Sequence, residues 1–198
     1  IATVNFSAER YDIEISANME AVIAGVSPRH KDTNESPNAQ TYNRLRELPP
    51  AALEGKIREF LPQYLSGIEL RFDDTRLPPA LCSVTVPEVG EAARVRLSLL
   101  HLCGVIPAGA RVFQWAYAAD FGESILRLPA ASGGEPVALW LKDGARSEPY
   151  LLGVGLEQKT RFEVAAQYTA LGFTHILPRG LDHILFVLGL FLLSARWK

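Results

Sequence analysis

Apolar and polar residues alternate along much of this chain, and the alternation changes period only a few times. In residues 3–15, Val4 and Phe6, then Tyr11, Ile13 and Ile15, are separated by polar positions. That period of two predicts a half-buried strand. Residues 28–41 are polar and contain proline, which predicts a loop. Pro49 and Pro50 suit the first turn of a helix. Beyond them Leu53, Ile57, Phe60, Leu61 and Tyr64 recur at steps of three and four, which makes one apolar stripe. Pro62 is expected to kink or end that helix.

From residue 68 the period returns to two. Ile68, Leu70 and Phe72 form one set, followed by Val84 and Val86, and then by Val95, Leu97 and Leu99 against Arg94, Arg96 and Ser98. Phe113, Trp115 and Tyr117 share a parity, as do Leu126 and Leu128, and then Val137, Leu139 and Leu141. Turn-formers separate these sets: Asp73-Asp74, Pro87, Pro107-Ala-Gly109, Ser132-Gly-Gly134 and Asp143-Gly144. Short strands with regular turn signals predict a mainly β, sandwich-like domain carrying one amphipathic helix. We place it at residues 1–156.

Residues 157–173 change character. They are compatible with a helix that places Phe162, Ala165, Ala166 and Thr169 on one side, either at a membrane surface or packed under the β domain. After them comes an apolar run that is unbroken over residues 184–193. Residues 180–195 would make about 24 Å of helix, against the roughly 30 Å of a full hydrocarbon crossing. Including the residues before Gly180 supplies the missing length. We therefore expect a transmembrane helix over 174–198, the first of several in a longer protein. Arg196, Trp197 and Lys198 follow at once, and such residues suit the cytoplasmic interface. This orients the β domain outside and the C-terminus inside. The competing reading is a buried apolar helix in a soluble protein.

The 198 residues carry a formal net charge of −2. With no basic stripe, the chain is not expected to bind nucleic acid. A bilayer is its expected partner. The first residue is Ile1, which fits a removed leader and export as well as it fits an arbitrary boundary. The two cysteines, Cys82 and Cys103, either pair in an exported domain or sit as two small buried hydrophobes. No Gly-rich phosphate loop, G-x-S-x-G, C-x-x-C or H-E-x-x-H is present, so enzymatic activity is not expected. His101, inside Leu-Leu-His-Leu-Cys, reads as a satisfied core residue. It shares a strand face with Cys103, which leaves a metal pair or a Cys–His dyad as lesser readings. Trp115, Tyr117 and Trp140 are either core or contacts to a partner.

The chemistry concentrates where the apolar run begins, at His175, Asp182 and His183. Ionisable groups at the edge of hydrocarbon are costly and point to function. On a helix, His175 and Asp182 lie along one face with His183 beside them. Two imidazoles and a carboxylate suit nickel, cobalt, zinc or copper. Pro178 lies between them, and Gly172 and Gly180 permit close approach of another helix. The alternative is structural: Asp182 caps the first turn while the imidazoles sit at headgroup level.

The run from Gly172 through His175, Gly180, Asp182 and His183 into the apolar stretch resembles the first-helix signature of the HupE/UreJ family. These are polytopic bacterial membrane proteins, regarded as secondary permeases for nickel or cobalt. The family's His and Gly-x-Asp-His pattern maps onto His175, Gly180, Asp182 and His183. Its longer branch has an extracytoplasmic β-rich domain ahead of the membrane helices, similar in order and character to the first 155 or so residues here. The resemblance implies a bacterial inner-membrane protein with a periplasmic N-terminal domain and a cytoplasmic C-terminus. It implies nickel or cobalt as transported ion, with His175, Asp182 and His183 as ligands. Further helices or other membrane subunits would complete the site. A single-pass accessory subunit, anchoring the β domain to a larger complex, is the other expectation.

Overall fold

The computed structural model describes residues 1–28, 33–91, 94–130 and 134–153. All of them fall in one compact unit, Ile1–Glu157. The predicted segments 157–173 and 174–198 lie outside the described residues. Among the described residues, no helix is long and apolar enough to cross a membrane.

Two strands, β1 (Ala2–Phe6) and β2 (Arg10–Ala17), occupy the stretch expected to form one. They pair antiparallel, Phe6 opposite Tyr11, and the turn closes with the Ser7 amide on the Arg10 carbonyl at 2.9 Å. The turn corrects the phase. Val4 on even positions and Tyr11, Ile13 and Ile15 on odd ones then all face the core. Three helices follow: α1 (Met19–Ala24), α2 (Ala39–Arg46) and α3 (Pro50–Ser66). Asn18 caps α1 by accepting from the Ala21 amide at 3.2 Å, and Gly25 ends it at φ 68°. α2 begins at Ala39, inside the predicted loop. α3 runs through Pro62, so the helix does not end there. Pro62 and Arg58 both face solvent, so water can satisfy the carbonyl that loses its amide partner.

The remaining strands are β3 (Ile68–Phe72), β4 (Thr75–Leu77), β5 (Leu81–Thr85), β6 (Ser98–Val105), β7 (Val112–Tyr117), β8 (Ser124–Leu128), β9 (Val137–Leu141) and β10 (Tyr150–Leu151). One sheet has six strands in the order β5-β6-β2-β1-β8-β9, and the other has four, β10-β7-β3-β4. Every pairing is antiparallel except β1 with β8, where Ala2 lies opposite Leu126. Asp73 and Asp74 make the two-residue turn between β3 and β4. Asp73 takes φ 50°, and its carboxylate accepts the amides of Arg111 and Val112.

The mainly β expectation holds, and the core lies between the sheets. Phe6 meets Phe113 edge-on with centroids 5.1 Å apart, and Tyr11 meets Phe72 at 5.5 Å. Leu53, Ile57 and Tyr64 bury the inner stripe of α3. The Tyr64 and Tyr117 hydroxyls lie 3.1 Å apart in the interior. Burial pushes Tyr117 up to about 12, partly offset by the bond to Tyr64, and raises Tyr64 well above the ordinary phenol range. Gly67 marks a close approach: a Cβ there would drive into the ring of Phe121.

The β6 region departs from the predicted pattern. Residues 94–97 are not strand, and Val95 and Leu97 are exposed, as is Leu99 at the start of β6. Ser98, Leu100 and Leu102 face inward instead. Arg96 is drawn inside by Glu20 of α1, Nε to Oε1 2.8 Å. Its guanidinium also donates to the carbonyls of Leu48 at 3.0 Å and Leu45 at 3.3 Å. A charge with three such neighbours outweighs the flanking apolar pair in deciding which side turns in.

Candidate functional site

The sequence-predicted ligands His175, Asp182 and His183, and the packing glycines Gly172 and Gly180, lie outside the described residues. Among the described residues, no group of three ligating side chains converges. Polar chemistry there gathers on the outer face of the six-stranded sheet. Residues of β6 that alternate with inward Leu100 and Leu102 point out: Leu99, His101 and Cys103. Register sets Asp12 opposite Cys103 and Glu14 opposite His101 on the neighbouring β2.

His101 is therefore not a core residue, contrary to expectation. Its ring Nε2 lies 2.9 Å from Asp12 Oδ1, and both side chains are about half exposed. Four apolar residues flank it with no period of their own, so only pairing with β2 decides its face. Cys82 and Cys103 form a disulfide between β5 and β6, with Cα atoms 5.9 Å apart. The bond sits at the register shift between Leu81 and Ser83. The Arg10 guanidinium lies 3.9 Å from the Cys103 sulfur. With its sulfur in the disulfide, Cys103 offers no thiolate to His101, and the Cys–His dyad is overturned. What remains is a surface carboxylate–imidazole pair, in which Asp12 can orient the ring of His101. Sequence reading missed Asp12, because it is 89 positions from His101.

The aromatic candidates divide. Trp115 and Tyr117 are core. Trp140 is 63 % exposed on β9 opposite Ile125, its indole N–H donating to Glu123 at 2.7 Å and Lys142 lying over its ring at 3.8 Å.

No curated protein and no solved structure matches the chain. The family model described as HupE / UreJ protein matches residues 154–198, the stretch that contains His175, Gly180, Asp182 and His183. Over that C-terminal segment the chain is similar to the HupE/UreJ family.

Proposed function

We propose that the chain serves divalent-metal transport, with nickel or cobalt as cargo, as part of a HupE/UreJ-type permease of the bacterial inner membrane. The family match over residues 154–198 carries this reading, because it coincides with the polar cluster at the start of the apolar run. His175 and His183 would supply imidazole nitrogens and Asp182 a carboxylate oxygen, a donor set suited to either metal. Three ligands leave coordination positions for further helices or other subunits to fill. Gly172 and Gly180 would allow those helices to approach. The β domain would face the periplasm and the C-terminus the cytoplasm, following Arg196 and Lys198. The Cys82–Cys103 disulfide supports an oxidising compartment for the β domain.

The test is metal uptake by cells producing the full-length protein. Asp182→Asn and His183→Ala should each abolish nickel or cobalt uptake while the protein remains in the membrane. Unchanged uptake by both variants overturns the reading. A second reading, a single-pass accessory subunit, draws support from the exposed Trp140 with Ile125 beside it, since indole anchors are common at interfaces. Purification of the full-length protein as a lone, monodisperse chain would count against it.

A further inference from the structure

The Cys82–Cys103 disulfide lies on the outer face of the six-stranded sheet and not in the core. Among the described strands β5 is an edge, paired only with β6. Its ladder shifts register between Leu81 and Ser83, and Cys82 sits at that shift. Cys82 is exposed and Cys103 partly exposed. Exposed disulfides belong to the class that external thiols reach and reduce.

The two sulfurs are not equivalent. On the other side of β6, Arg10 of β2 lies opposite Val105, and Asp12 lies opposite Cys103. Each of these side chains reaches one pair along the ladder. Arg10 Nη2 lies 3.9 Å from Cys103 Sγ, and Asp12 Oδ1 lies 2.9 Å from His101 Nε2. Both are diagonal contacts of the kind long or polar side chains make across an antiparallel pair. A guanidinium is thereby set on Cys103, while the carboxylate opposite Cys103 is turned to the imidazole. A cation beside a sulfur favours its thiolate, and a sulfur that is stable as thiolate leaves a disulfide faster. Cys82, on the free edge, is the sulfur open to attack.

We propose that the Cys82–Cys103 bond is an exchange site for an external dithiol, with Cys82 Sγ attacked and Cys103 Sγ leaving beside Arg10. A thiolate of the dithiol bonds to Cys82 Sγ as the bond to Cys103 breaks, and the electron pair leaves on Cys103 Sγ. The dithiol's second sulfur, as thiolate, then attacks its own first sulfur in that mixed disulfide and releases Cys82 as thiolate. The dithiol is oxidised to a disulfide by loss of two electrons. Cys82 and Cys103 are reduced and take up the two protons that the dithiol gives to water. β5 is then held to its sheet by the ladder alone. Neither a metal nor residues 154–198 take part.

The experiment takes the full-length protein in detergent and follows reduction by dithiothreitol without denaturant. Freed thiols are alkylated, and peptide masses report Cys82 and Cys103. The rate should rise in proportion to dithiothreitol. Arg10→Met should slow it by about twofold or more, the order expected for one charge at this distance in a solvent-like dielectric. Arg10→Lys should restore it. Brief exposure of the parent to glutathione, quenched by alkylation, should leave glutathione on Cys82 and the alkyl group on Cys103. This map needs no variant, so a misfolded variant does not remove the test. A rate that stops rising at the speed of global unfolding would mean that thiols reach the bond only in the opened chain, and the proposal fails. It fails equally if the parent and a folded Arg10→Met react at one rate, or if glutathione collects on Cys103.

Discussion

The Glu20–Arg96 pair offers the sharpest test of how this domain is held together. The side chains are 1 % and 7 % exposed, so both charges have left bulk water. Arg96 is well compensated: it donates to Glu20 at 2.8 Å and to the carbonyls of Leu48, Leu45 and Pro87. Glu20 is not, because its second oxygen has no hydrogen-bond partner among the described residues. Replacing Arg96 by Met keeps the length of the stem but removes the charge and every donor. Glu20 is then a buried carboxylate with nothing opposite, and the carbonyls that end α2 lose their donor. Breaking such a pair from one side costs about 3–5 kcal/mol. A domain of this kind has about 5–15 kcal/mol in all. Arg96→Met should therefore remove a large part of its stability. Removing both charges, as Glu20→Leu with Arg96→Met, should cost much less, because no unpaired charge remains. Urea denaturation followed by near-ultraviolet circular dichroism, for the parent, both single variants and the double, closes a mutant cycle. If Arg96→Met costs under about 1 kcal/mol, or the double variant is as unstable as the sum of the singles, the burial argument is wrong.

Two further outcomes are expected. Replacing Cys82 and Cys103 together by Ser opens a loop of 21 residues, which the chain-entropy relation puts at about 3 kcal/mol; a lower unfolding free energy in urea would report it. Tyr117 is held protonated in the folded state to about pH 12, against about 10 when unfolded, so its stabilisation is complete below pH 10 and is lost as pH rises towards 12. Two units amount to about 3 kcal/mol, and Tyr117→Phe should flatten the alkaline limb of a stability–pH curve; an unaltered limb would refute that origin.

Sequence and structure agree where the period of two is clean. Phe113, Trp115 and Tyr117 alternate with smaller or polar residues, and all three face the core as predicted. Where the signal was lost, the reason is local. The turn at residues 7–9 contains no Gly or Pro, so only the change from even to odd apolar positions marks the hairpin. Leu99 to Cys103 has no period to read, and pairing with β2 decides its faces. Arg96 turned inward because partners from two helices and a loop converge on it, which no local pattern encodes. α1 was overlooked despite Asn18 and Gly25 at its ends, because six residues are too few to establish a stripe. The site divides similarly. His175, Gly180, Asp182 and His183 are legible because they are close in sequence. The Asp12–His101 pair is not, being assembled by strands far apart in the chain.

The parallel pairing of β1 with β8 has a kinetic consequence. Strand β1 occupies an interior position in its sheet, and one of its two neighbours lies more than a hundred residues later. The β1–β2 hairpin can close early, but the other edge of β1 stays unpaired until residue 126 emerges. Contacts of such sequence separation make folding slow, and an open edge in the interval invites pairing with the wrong chain. Crowded synthesis should therefore favour aggregation through β1, and a factor that holds the emerging chain extended until β8 arrives should raise the yield of folded protein.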